Sequence, residues 1–225
     1  MYLQITTNCD MECAHCGFSC GPEKRRYMTM EVFEAVMKIA SNRCEYITIG
    51  GGEPTNHPLF FDFLGKAIVA NESEVPVFII TNGSNTEDAL KLSRMQKLGV
   101  IYCELSVDDF HYGIDHDVYK AFGYYNQKKH KKTNIRTVHH IIKQGRGKTL
   151  EIDLWDHLKE NDGCICSDLF IAPTGKVYSC GCFRQKIGHI LDPKFSEILN
   201  EFGKSYYIGE CYKNNFIKEE DRDDE

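Results

Sequence analysis

The sequence predicts an α/β protein, a partial (β/α)6 barrel of parallel strands followed by a small cysteine-rich module. Three observations carry this. Short strand-like apolar segments alternate with amphipathic helical patterns over residues 1–155, the signature of repeated βαβ units. The strand segments are apolar nearly throughout, as in parallel sheets covered on both faces. The chain has 225 residues, short of the roughly 250 that a closed eightfold barrel needs, so five or six units imply an open or partial barrel.

Taken in order, Tyr2–Thr6 reads as a first strand that runs straight into a cysteine-bearing loop. Thr29 supplies an N-cap hydroxyl for a helix through about Ala40, with Val32, Phe33, Val36, Met37 and Ala40 on one face. Tyr46–Ile49 is a second strand, ended by Gly50-Gly51-Gly52, and His57–Ala70 is helical in pattern. Val75–Ile80 is a buried strand stopped by Thr81-Asn82-Gly83. Thr86–Leu98 predicts a helix, Val100–Val107 a strand, Val118–Asn126 a helix and Ile135–Ile142 a strand, with Leu150–Leu154 as a sixth. After Trp155 the alternation stops. Residues 164–211 carry five cysteines and a hairpin-like Ile171–Ser179. The expected division is therefore a barrel over 1–155, a cysteine-rich module over 156–217 and a frayed acidic tail over 218–225. No internal repeat, G-x-G-x-x-G or P-loop is present.

Composition narrows the function classes. The formal net charge is −6. The last eight residues hold six acids against two bases and leave the body near neutral, which does not advertise nucleic-acid binding. No apolar run approaches the roughly 20 residues of a membrane helix, and Asn8-Cys9-Asp10 breaks the N-terminal apolar stretch too early for a signal peptide. A cytoplasmic protein is expected. Eleven cysteines in a reducing compartment, an odd number at that, point to metal or cluster ligation rather than a disulfide framework.

Cys9-x-x-x-Cys13-x-x-Cys16 places three thiols on the loop after the first strand, where parallel sheets gather reactive groups. Four cysteines usually hold a [4Fe-4S] cluster; three leave one iron open. Spacing alone also admits a zinc site completed by His15, or plain reduced thiols. The motif, with an aromatic residue (here His15) before the third cysteine, resembles the radical S-adenosylmethionine (SAM, AdoMet) superfamily. So does Gly51-Gly52-Glu53-Pro54 at the end of the second strand.

The resemblance covers about residues 1–145 and implies specific roles. Cys9, Cys13 and Cys16 would bind the cluster, and its fourth iron would be chelated by the amino and carboxylate groups of SAM. The Gly51–Pro54 backbone and the Glu53 carboxylate would hold the methionyl ammonium, consistent with close approach at glycine and carboxylate–ammonium pairing. Asn82 closes the third strand as this family often does. Ser106 and Asp108 would meet the ribose or SAM carboxylate, and Arg136 that carboxylate. The implied reaction is one-electron reduction of the SAM sulfonium, giving methionine and a 5′-deoxyadenosyl radical that takes a hydrogen atom from a substrate. A one-electron donor such as flavodoxin or ferredoxin would supply the electron.

Cys164-x-Cys166 and Cys180-x-Cys182 flank the hairpin, and Cys211 follows. Such Cys-x-Cys pairs are a poor zinc signature. Gly175, five residues before Cys180, and Ile187–Ile190 resemble the twitch or SPASM appendage, which implies a second [4Fe-4S] cluster. Its fourth ligand stays open between Cys166, Cys182 and Cys211, and zinc remains the alternative. Cys20, Cys44 and Cys103 read as ordinary reduced or buried cysteines.

The remaining polar features are weaker. His111 is a candidate near the substrate, whereas Asp115 or Asp117 caps a helix. Residues 128–132 form a basic run, read as a solvated turn. Of His139 and His140 at most one faces the site. Arg146, between two glycines, would hold a substrate anion or merely make a turn. The substrate, whether small molecule, peptide or nucleotide, is not legible. The absence of a domain before the first strand argues mildly against leader-peptide maturation. Two alternatives stand: a glycyl-radical-type activating enzyme, and a non-catalytic iron–sulfur or zinc-binding module.

Overall fold

A computed structural model describes residues 1–40, 44, 46–70, 76–124, 133–137, 144–150, 169–183 and 185–205. Four βα steps and a fifth strand open the chain: β1 (Tyr2–Gln4), α1 (Met30–Ala40), β2 (Ile47–Gly50), α2 (Phe60–Ala70), β3 (Val77–Thr81), α3 (Thr86–Lys97), β4 (Tyr102–Ser106), α4 (His116–Ala121) and β5 (Ile135–Arg136). Short 3₁₀ turns cover Pro54–Asn56 and Gly145–Thr149. A hairpin follows, β6 (Phe170–Ile171) and β7 (Lys176–Tyr178), then β8 (Lys186–His189) and α5 (Phe195–Ser205).

The helix starts follow the sequence chemistry. Val32 N–H donates to the Thr29 hydroxyl at 3.3 Å, Asn85 accepts from Asp88 N–H to cap α3, and Asp115 rather than Asp117 caps α4. In α1 the predicted apolar face is the buried one: Val32, Phe33, Val36 and Ala40 are all enclosed. The 145–147 segment forms a 3₁₀ turn, not the end of a strand. Residues 138–143 and 151–154, the rest of the expected fifth strand and most of the sixth, lie outside the described residues.

The eight strands among the described residues form one sheet in the order β5-β4-β3-β2-β1-β6-β7-β8. The run from β5 through β1 to β6 is parallel, and β7 and β8 are antiparallel additions. The fold is thus α/β with a mostly parallel sheet. The expected hairpin is present, but it extends the main sheet beside β1, with Tyr2 opposite Phe170 and Leu3 opposite Ile171. Its turn needs Gly175, whose φ of +87° is left-handed and whose added Cβ would sit 2.8 Å from the His189 ring. Ile171, Val177, Ile190, Phe195 and Leu199 join the same apolar core as the barrel-like strands. The expected boundary at 155/156 falls outside the described residues.

The two faces of the sheet are covered differently among the described residues. Leu3, Ile49, Val77, Ile79, Cys103 and Leu105 pack with the helices into that core. The alternate residues Tyr2, Thr48, Ile80 and Ser106 line a cavity instead. The second face is apolar enough to look buried in sequence, yet it borders the site. No helix among the described residues is long and apolar enough to cross a membrane.

Candidate active site

The loop from Ile5 to Met28 is closed by backbone pairing. Met28 N–H donates to Ile5 C=O (2.8 Å), Thr7 to Arg26 (3.0 Å), Gly21 to Thr7 (3.3 Å) and Cys9 to Gly21 (3.2 Å). The Asn8 side chain donates to Pro22 and Lys24 carbonyls, each at 3.1 Å. A long loop is thereby held with its cysteines turned inward.

The glycine segment clasps this loop. Gly52 N–H donates to Thr6 C=O (2.8 Å) and Glu53 N–H to Asn8 C=O (2.9 Å). A Cβ added to Gly51 would lie 2.7 Å from the Thr6 carbonyl, and one on Gly52 would collide with the Asn8 carbonyl and the Cys9 Cβ. The glycines are therefore required by the cysteine loop itself, whereas the sequence argument ascribed them to ligand approach.

Cys9, Cys13 and Cys16 line one cavity of about 550 Å³, in the range that takes a small ligand. His15, Gly51, Gly52, Asn82, Ser106 and Arg136 line it too. Ser106 and Arg136 are register partners at the ends of β4 and β5. The Asn82 amide donates to Asp10 (3.1 Å) and toward the Cys9 sulfur (3.6 Å). Nine of the sequence-predicted residues thus converge.

Glu53, Pro54 and Asp108 are close by but do not line the cavity. Glu53 is buried, and its carboxylate accepts from Thr55 N–H (3.2 Å), the Thr55 hydroxyl (2.8 Å), the Thr81 hydroxyl (2.9 Å) and Asn82 N–H (2.7 Å). Oε1 takes three of these donors and Oε2 one, so Glu53 ties β2 to β3. Burial outweighs these bonds and pushes its carboxyl up to about 7. Of the C-terminal cysteines, Cys182 lines the cavity and Cys180 is buried. Cys164, Cys166 and Cys211 lie outside the described residues, as do His139, His140 and the 128–132 run.

Burial raises the Cys9 thiol to about 12 and Cys13 to about 11. Cys16 moves the other way, to about 6, chiefly through a hydrogen bond from Cys20, whose own thiol is pushed up by that contact and by burial. Cys20 also lines the cavity. It is a buried free thiol, as its spacing suggested.

Two further residues hold this loop through contacts that the sequence does not show. Arg146 donates from Nε to Cys13 C=O (3.0 Å) and from Nη2 to Cys20 C=O (2.7 Å), and its own N–H bonds Cys16 C=O (3.0 Å). It braces the cysteine loop with two of its five side-chain N–H groups and also lines the cavity. Gln144 is buried and donates to Gly17 C=O (2.9 Å) and Gly181 C=O (3.2 Å), joining the two cysteine regions. Only long-range contact reveals either role.

The sulfurs of Cys9, Cys13 and Cys16 do not all lie within 4.8 Å of one another. One tetrahedral zinc at about 2.3 Å would hold thiolates about 3.8 Å apart, so the wider spread suits a multi-iron group. A three-thiolate donor set opening on a ligand-sized cavity fits a [4Fe-4S] cluster with one iron left for a further ligand. The model of the radical SAM superfamily matches residues 3–161.

The chain belongs to the radical SAM superfamily.

Solved structures share its fold at low identity. BtrN in complex with AdoMet and 2-DOIA aligns at 18% identity over 91% of this chain and 88% of that one, TM-score 0.52. BtrN in an open conformation aligns at 17% over 97% and 89%, TM-score 0.56. Native anSMEcpe with bound AdoMet and Cp18Cys peptide aligns at 16% over 88% and 79%, TM-score 0.54. No curated protein matches the sequence significantly. The family implies a [4Fe-4S] cluster, SAM and an electron donor.

Proposed function

We propose that this chain reductively cleaves SAM and uses the resulting 5′-deoxyadenosyl radical to take a hydrogen atom from a substrate. The observation that carries the proposal is the convergence of Cys9, Cys13 and Cys16 with Gly51, Gly52, Asn82, Ser106 and Arg136 on one cavity. When bound, the cluster and SAM supply the one-electron chemistry. The residues of the chain position and enclose it. The three cysteines hold the cluster, and Arg146 and Gln144 fix the loop that carries them.

Arg136 and Ser106 offer a cation and a hydroxyl to the SAM carboxylate and ribose, and His15 presents an aromatic ring on the same wall. Glu53 has room on Oε2 for one more donor, and the methionyl ammonium fits that role from behind Gly51, Gly52 and Pro54. The sheet is read as a partial (β/α)6 barrel with its sixth strand near 150–154. A flavodoxin- or ferredoxin-type donor supplies electrons, and the substrate is a small molecule, peptide or nucleotide.

A second, auxiliary [4Fe-4S] cluster is part of the proposal, held by cysteines drawn from Cys164, Cys166, Cys180, Cys182 and Cys211. The proximity of Cys182 to the first site supports it, since an electron could then pass between the two.

The test is anaerobic reconstitution with dithionite and SAM, followed by chromatography. Formation of 5′-deoxyadenosine and methionine is expected. Their absence from protein carrying four or more irons per chain would favour a non-catalytic iron–sulfur module. A glycyl radical appearing on a partner protein would instead favour an activating enzyme.

A further inference from the structure

The geometry points to a divalent transition-metal site, separate from the cluster, formed by His15, Asp108 and His111 on the rim of the same cavity. One ligand atom from each of the three lies within 4.8 Å of the others, and they are the only such trio among the described residues. Two imidazoles and one carboxylate are a donor set for a divalent transition ion that keeps open coordination positions.

Two buried polar atoms mark the place. Asp108 Oδ2 and His15 Nδ1 are both fully enclosed and have no hydrogen-bond partner. The Asp108 side chain is only 10% exposed. An unpartnered carboxylate oxygen at that depth is costly, and such groups ordinarily find a donor or a cation.

The spacing fits an ion as well. His111 Nδ1 lies 2.8 Å from Asp108 Oδ1. An ion with bonds of about 2.1 Å at right angles places adjacent ligand atoms about 3 Å apart. His111 Nδ1 ligates in the tautomer that carries its ring proton on Nε2. The His15 and His111 rings already meet edge to face, with centroids 5.4 Å apart. Phe110 covers the His15 ring at 4.5 Å, so the trio sits in a partly enclosed corner.

Both histidines line the cavity. The open positions of the ion would therefore face whatever occupies it, and a hydroxyl, carboxylate or phosphate oxygen is the donor class they would take. This goes beyond SAM cleavage and is tested without it.

Mn²⁺ is the probe, because it favours nitrogen and oxygen ligands over thiolates and the oxidised cluster is silent in electron paramagnetic resonance. Chelator-washed, cluster-loaded protein is titrated with Mn²⁺, and the free six-line signal counts what is bound. One ion per chain is expected. Asp108→Asn and His111→Ala should each weaken binding at least tenfold while iron content stays at the wild-type value. Pulsed measurements on the wild-type complex should show ¹⁴N coupling from two imidazoles, and this decides the matter if either variant loses iron. No Mn²⁺ binding, binding without nitrogen coupling, or binding unchanged in both variants overturns the proposal, the last meaning an adventitious ion only. Loss of SAM cleavage has no bearing on any of these readings.

Discussion

Two cysteine groups meet in this molecule and differ in how they are built. Cys9, Cys13 and Cys16 come from one short loop, and all three reach the cavity. That loop is pinned by the glycine segment behind it and by Arg146 across it. In the C-terminal group, Cys180 and Cys182 flank Gly181 at the end of a hairpin, and only Cys182 reaches the cavity. Its other expected members come from segments far apart in sequence. When ligands share a loop, spacing alone sets their geometry; when they converge from separate segments, tertiary structure must do so. Gln144 bonds both regions, through Gly17 and Gly181, and Phe18 packs against Phe183 beside it.

The comparison breaks most easily at the first group. Cys13→Ala should abolish the SAM-binding cluster and reduce 5′-deoxyadenosine formation more than about 100-fold, whereas Cys44→Ala, outside the cavity, should leave both intact. Iron analysis and chromatography check this together. Next in size is the second group. A Cys180→Ser, Cys182→Ser double variant should fall from about eight irons per chain to about four, with SAM cleavage retained. Unchanged iron would remove these two residues from the auxiliary cluster.

Gly52→Ala tests whether the glycines serve the loop. Its Cβ would enter the Asn8 carbonyl, so a loss of about 1–3 kcal/mol is expected from overpacking, with poorer iron uptake. Urea unfolding and iron analysis read it. Gln144→Ala leaves two carbonyls without their donor and should cost about 1–3 kcal/mol. It should lower iron retention at both groups, because both lose a tether.

The smallest effect is one of pH. The Glu53 carboxyl sits near 7 in the folded chain against an ordinary 4.5, so the native state binds a proton that the unfolded state releases. The contribution of this group is complete below about pH 4.5 and lost as pH rises through about 7. Urea midpoints compared at pH 5 and pH 8 should therefore fall less in Glu53→Gln than in the wild type.

Much of this was legible in the chain. The alternation of strands and helices gave the parallel sheet. The N-caps Thr29 and Asp115 and the hairpin turn at Gly175 follow from local chemistry, and the structure reproduces them. The first cysteine group was legible for the same reason, since its ligands are neighbours. What stayed hidden depends on contacts across the fold. Arg146 stands 133 positions from Cys13, whose carbonyl it holds. Cys20 gains its significance only by folding back on Cys16. The hairpin looked like part of a separate module because sequence cannot say that β6 docks on β1.

The central claim is that Cys9, Cys13 and Cys16 hold a cluster whose remaining iron is chelated by SAM. Electron–nuclear double resonance of the reduced protein with SAM labelled by ¹⁵N at its amino group tests this most directly. A ¹⁵N coupling to the cluster that disappears in Cys13→Ala is the predicted result. Bound SAM with a reduced cluster and no such coupling would contradict the account.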